Sequence, residues 1–234
     1  TVAINNIQPE VVKKETAKNA IDQIALTRKA IIDQTPDATT EEKEAAKSKV
    51  DEEVIKAKHG IDQAKTNNDV DQVEQNSTTM INNIQPTVVK KSEARQAIDD
   101  LAKLKKATID LTQEATEEEK EAAKSKVDQA LTEAKTHINE AENDDGVDNA
   151  KTKGINVINT IQLEIIKKVE AKHEIDQSAI AKKKIIDQTP DATEEEKEVA
   201  KQKVDEEATK AKDNIDQATT NDAVDQAKTT GNTE

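Results

Sequence analysis

Three histidines, His59, His137 and His173, are the side chains best suited to proton transfer or zinc ligation near neutral pH. A zinc site needs three or four such ligands converging, and this chain has no cysteine to add to them. The histidines also fall at unrelated positions of the internal repeat described below. His137 stands where other repeats carry Gly60 and Asn214, and His173 where they carry Asn19 and Gln96. They read as polar residues on helix surfaces. Two acidic turns, Asp33-Gln-Thr-Pro-Asp37 and Asp187-Gln-Thr-Pro-Asp191, have the charge to attract a divalent cation. They lack the alternating oxygen ligands, central glycine and terminal glutamate of a calcium loop, and the middle repeat spells the turn Asp110-Leu-Thr-Gln-Glu114. Asn67-Asn-Asp69, Asn143-Asp-Asp145 and Asn221-Asp222 read as polar turns that cap the helix after them.

Carboxylate pairs such as Asp51/Glu52 have lysines three and four residues away. Glu44 to Ser48 and Lys47 to Asp51 suit surface pairs on a helix, worth about 0.2–0.5 kcal/mol each for opposite charges. A general acid with a raised pKa needs burial, and little depth is available here. The four glycines are isolated, so no phosphate-cradling loop is present, and no nucleophile motif with a partner histidine occurs. No catalytic, cofactor-binding or metal-ligating residue is assigned. No cofactor is implied, and a non-enzymatic protein is expected.

The elements behind these residues follow from a repeat. Thr39-Thr-Glu-Glu-Lys-Glu-Ala-Ala-Lys-Ser-Lys-Val50 returns at Thr116–Val127 and at Thr193–Val204, 77 residues apart each time. Each copy reads as a helix start. The threonine caps, and Glu42, Glu119 or Glu196 three residues later reaches back to the cap amide. Other short motifs keep the period without insertion, giving units 1–77, 78–154 and 155–234, with the third helix of the last unit cut short and expected to fray. The chain opens and closes inside repeats, without a signal peptide at its start, as an excised piece of a longer array is expected to do.

Each unit reads as two long helices and a shorter one. The first runs from about residue 10 to residue 34, with Val11, Val12, Ala17, Ala20, Ile21, Ile24, Ala25, Ile31 and Ile32 in one stripe. Pro9 and Pro86 suit a first helical turn, and Pro36 stops the helix. The second carries Ala46, Val50, Val54, Ala57, Ile61 and Ala64; the third carries Val70, Val73, Ser77, Met80, Ile81 and Ile84 across the repeat boundary. Bundles are therefore expected out of phase with the sequence repeats, at about 10–84, 87–161 and 164–234. Leu163 replaces the proline of the other units, so one helix from Val147 to Gln188 is expected there. The expected fold is all-α: tandem three-helix bundles joined end to end by helical linkers, an elongated rod exceeding roughly 110 Å at about 1.5 Å per helical residue.

Composition sets the outer limits. Of 234 residues, 36% are charged and none is Phe, Trp or Tyr, so the core must be thin and aliphatic. The formal net charge of −14 disfavours nucleic acid and anionic membrane surfaces. No apolar run is long enough to span a bilayer.

Ile-Asn-Asn-Ile-Gln-Pro, Ala-Ile-Asp-Gln, Lys-Lys-Ile-Ile-Asp-Gln-Thr-Pro-Asp-Ala-Thr-Glu-Glu-Glu-Lys and Val-Asp-Gln-Ala-Lys, at a fixed 77-residue period, resemble a tandem repeat of staphylococcal cell-wall-anchored surface proteins. The likeness covers nearly the whole chain. It implies an extracellular helical stalk in a wall-anchored adhesin associated with adhesion, aggregation or biofilm, with neighbouring repeats as partners. A second reading is a weak, multivalent module that binds a host protein or self-associates, although the lack of aromatic anchors argues against strong hot spots. A monomer is expected, with no nucleic acid and no membrane insertion.

Overall fold

The computed structural model describes residues 12–233, and among them every regular element is helical. The helices come in three sets: α1 (Lys13–Asp33), α2 (Thr40–Gln63) and α3 (Asn67–Asn83); α4 (Lys90–Asp110), α5 (Glu117–Glu140) and α6 (Asp144–Thr160); α7 (Lys167–Asp187), α8 (Glu194–Gln217) and α9 (Asn221–Thr233). One sequence period thus specifies one three-helix set. The chain divides into two compact units. One holds the described residues through Ala97 with Lys135–Thr152; the other holds Ile98–Ala134 and Lys153 onward.

In the first unit α1, α2 and α3 pack on one another around Ala17, Ile21, Ile32, Ala46, Val50, Ala57, Ile61, Val70 and Ile81. In the second unit α7, α8 and α9 pack around Ala171, Ile175, Ala211, Ile215 and Val224, the same positions two periods on. Fully burying an isoleucine contributes about 1.5–3 kcal/mol, and few larger side chains are available. Small residues let the helices approach. A Cβ placed on Gly154 would lie 2.5 Å from the Cβ of Ala134 and 3.2 Å from Ile98 Cδ1. The stripe is narrower than its sequence pattern: Val12, Ile31 and Met80 are exposed.

Outside this core, lysines and aspartates on neighbouring helices pair at repeated positions. Lys13–Asp71 recurs as Lys90–Asp148 and Lys167–Asp225. Lys47–Asp33 recurs as Lys124–Asp110 and Lys201–Asp187, at 2.8–3.1 Å. Asp51 pairs with Lys29 of α1, not with Lys47 on its own helix, so these charges tie helices together more than they support single ones.

Several expectations need correction. Glu10, Val11 and Pro9 lie outside the described residues. Pro86 is not in a first helical turn; it lies in a six-residue extended strap, 84–89, four residues before α4 begins. The linkers are not helical. Residues 161–166 form an equal strap although Leu163 replaces the proline, so no helix runs from Val147 to Gln188. Proline is therefore not what ends α3 and α6. At both straps the amides that a continuous helix would turn inward are bonded to a carboxylate of the preceding repeat instead.

Burial separates two isoleucines of α2. Ile61→Ala, at a fully buried site, is expected to cost about 2–5 kcal/mol. Ile55→Ala, 69% exposed, should stay within about 0.5 kcal/mol of wild type. Urea unfolding followed by circular dichroism measures both.

Candidate functional site

The side chains with chemical potential do not converge. His59, His137 and His173 are all exposed, and Glu140 lies 3.7 Å from His137 Nδ1. Among the described residues no group of three or more His, Asp or Glu is placed to hold a metal ion. The acidic turns are engaged by cations of the protein itself. Asp33 pairs with Lys47, Asp110 with Lys124 and Asp187 with Lys201. Asp37, in the left-handed region at φ 62°, lies 3.2 Å from Arg95. The polar turns cap helices, but one residue earlier than expected in two cases. Thr66 closes a capping box with Asp69, and Thr220 accepts from the Ala223 amide. Asn143 accepts from the Gly146 amide.

What does converge is the seam between one repeat and the next, built around the capping glutamates. Thr39 begins as predicted: its hydroxyl accepts from the Glu42 amide, and Glu42 Oε2 accepts from the Thr39 amide at 3.0 Å. The other oxygen, Oε1, accepts from the amides of Val89 and Lys90, at 2.8 and 2.9 Å. Glu119 does the same one period on. Its Oε2 accepts from Thr116, and its Oε1 accepts from Ile166 and Lys167 at 2.8 Å each. These receiving amides open α4 and α7, whose starts read Val-Val-Lys-Lys and Ile-Ile-Lys-Lys and contain no capping side chain. A helix start leaves its first N–H groups without partners, and a carboxylate there also meets the positive end of the helix dipole. The cap is therefore supplied by the repeat before.

Further bonds tie the same ends together. The Thr40 amide and hydroxyl both donate to the Glu142 carbonyl, and the Asp144 amide donates to Glu41. The second junction repeats this with Glu117 donating to the Thr219 carbonyl and Asn221 donating to Glu118. Lys91 and Lys168 are buried lysines with their charges on carbonyls: Lys91 Nζ on Asn139, and Lys168 Nζ on Asp216 and Gln113. Lys14, at the matching place in the first repeat, bonds the Asp62 carbonyl in the same way but is only half-buried.

Burial pulls the Glu42 and Glu119 carboxyls upward. The backbone amides and the threonine outweigh it, and both are held below the usual glutamate value of 4.5. Glu196 is also lowered, by Thr193 alone. Sequence reasoning found the capping boxes but missed their second role. The signal was present: three helices start on an apolar residue with no cap of their own, and a carboxylate has a second oxygen to give.

The sequence profile described as Domain of Unknown Function (DUF1542) matches residues 13–89, 90–166 and 167–234, each match opening on the first residue of α1, α4 or α7. The chain belongs to the DUF1542 family. It is similar to the extracellular matrix-binding protein ebh of Staphylococcus aureus strain MRSA252, 30% identical over 98% of this chain but 2% of that protein. It is similar also to the extracellular matrix-binding protein EbhA of strain Newman, 28% identical over 84% of this chain and 6% of that protein. The chain thus spans a small fraction of the curated relatives it matches. No solved structure matches it.

Removing the shared carboxylate should release the strap. Hydrogen bonds to a charged group contribute about 1.5–3 kcal/mol, so Glu42→Ala is expected to raise amide exchange at Val89 and Lys90 at least tenfold while Ile166 and Lys167 stay unchanged. The stabilisation from a lowered glutamate pKa is complete above the unfolded value of 4.5 and is lost as pH falls through the folded one. Wild-type exchange at these amides should therefore be flat from pH 7 to 5, after correction for the intrinsic rate. It should rise below pH 4.5, and Glu42→Gln should lose that extra acid dependence.

Proposed function

We propose that this chain is a non-enzymatic stalk segment: a stretch of repeats that sets distance between a bacterial surface and a binding region elsewhere in a wall-anchored adhesin. The observation that carries this reading is the junction made twice from the same residues. A contact made from the same residues at both junctions ties each repeat to the next in the same way, which is what a spacer requires and a catalyst does not. High surface charge keeps such a segment soluble and discourages collapse on itself. The folding unit on this reading is the bundle, about 10–84, 87–161 and 164–234, and not the 77-residue sequence frame. Among the described residues no helix is long and apolar enough to cross a membrane.

The relatives' names favour a second reading, in which the repeats themselves contact host matrix. Each contact would be weak and gain strength by repetition. Exposed aliphatics such as Leu26, Leu104 and Ile180 are the places to look, since aromatic anchors are absent.

Small-angle X-ray scattering extrapolated to zero concentration tests the stalk. The expected particle is a rod longer than roughly 100 Å, by helix length at about 1.5 Å per residue. A compact particle would overturn the reading. Retention of this chain on matrix extracts, lost on substituting Leu26 and Ile180 by Asp, would instead favour the second.

A further inference from the structure

The two junctions share a backbone pattern but differ at residue 144, where Asn221 stands one period on. Asp144 and Asn221 each open the third helix of a set, and each donates its amide to the glutamate before the capping one, Glu41 or Glu118. The side chains behave differently. Asn221 Oδ1 accepts from the Thr116 hydroxyl at 2.8 Å, which ties the start of α9 to the cap of α5. Asp144 Oδ1 is buried and has no hydrogen-bond partner among the described residues.

The donors around Asp144 are already committed. The Thr39, Val89 and Lys90 amides go to Glu42, and the Thr40 amide and hydroxyl both go to the Glu142 carbonyl. Lys90 feels the fields of Asp144 and Asp145, but its ammonium is bonded to Asp148 at 2.7 Å. Glu41, which takes the Asp144 amide, brings a second carboxylate to the same place. An ionised carboxylate only accepts, whereas an asparagine amide accepts and donates. A buried acceptor without a donor carries its full desolvation penalty. That penalty falls on the closed junction alone, since water reaches the oxygen once the junction opens. The benefit of an acidic residue in the first turn of α6 is present in both states, so it does not offset the difference.

We infer that residue 144 sets how tightly its junction closes, and that Asp144 makes the first junction a yielding joint, one that opens more readily than it would with the asparagine of the second. Exchange of Asp for Asn at this single position grades the firmness of a junction without altering the fold. The inference goes beyond the stalk reading and stands without it, because it concerns only the balance between closed and open junctions.

Amide hydrogen exchange of the full chain tests this with a reciprocal pair of variants. Asp144→Asn should slow exchange at Thr40 and Val89 about tenfold, within the range for an unpartnered buried acceptor, and leave Glu117 and Ile166 unchanged. Asn221→Asp should speed exchange at Glu117 and Ile166 by a similar factor and leave Thr40 and Val89 unchanged. Asn67 and Asn221 already occupy this position in the other repeats, so Asp144→Asn should keep the wild-type circular dichroism. Exchange that does not slow in Asp144→Asn, or does not speed up in Asn221→Asp, would overturn the inference. So would a change of equal size at both junctions, which would report stability of the whole chain and not of one joint.

Discussion

Glu42 and Glu119 each divide a carboxylate between two repeats. One oxygen of Glu42 closes the cap of α2, and the other closes the start of α4, which has no cap of its own. The constraint behind this is that buried or half-buried N–H groups need acceptors. A helix that starts on Val-Val or Ile-Ile cannot supply one locally. The strap is consequently held extended, the preceding helix ends whether or not a proline follows, and the buried lysines at 91 and 168 find carbonyls of the adjoining turns. Hydrogen bonds at fixed positions tie one repeat to the next at both junctions.

That economy suits a chain without aromatic residues. Isoleucine, valine and alanine fill the bundle cores, glycine at 154 and 231 allows helices to touch, and lysine–aspartate pairs fasten the edges at every period. The same positions serve in each repeat because the period is free of insertions. Burial is not identical throughout: Thr39 and Thr116 are buried and Thr193 is exposed, while Ala46 and Ala123 are buried and Ala200 is half-buried.

Much of this was legible in the sequence. The 77-residue period, the three helices per unit, the Thr-x-x-Glu capping boxes and the buried stripe through Ile21, Val50, Ile61 and Val70 all followed from spacing and residue type. The straps did not. Helical periodicity continues through residues 81–84 and 158–161, and a local rule sees no breaker at Leu163. Their extended form depends on a carboxylate 47 residues away, which no local pattern encodes. The exposure of Val12, Ile31 and Met80 was hidden for a related reason: apolar spacing gives the direction of a stripe but not its width, which depends on how many helices cover it.

The central claim is that the shared carboxylate couples successive repeats into one cooperative system. Urea unfolding of the full chain, followed by a fluorescent label placed in each repeat in turn, tests it most directly. Coupled repeats unfold with coincident midpoints in wild type, and Glu42→Ala/Glu119→Ala should split them into separate transitions. Coincident midpoints in the double variant, or separate ones already in wild type, would contradict the account.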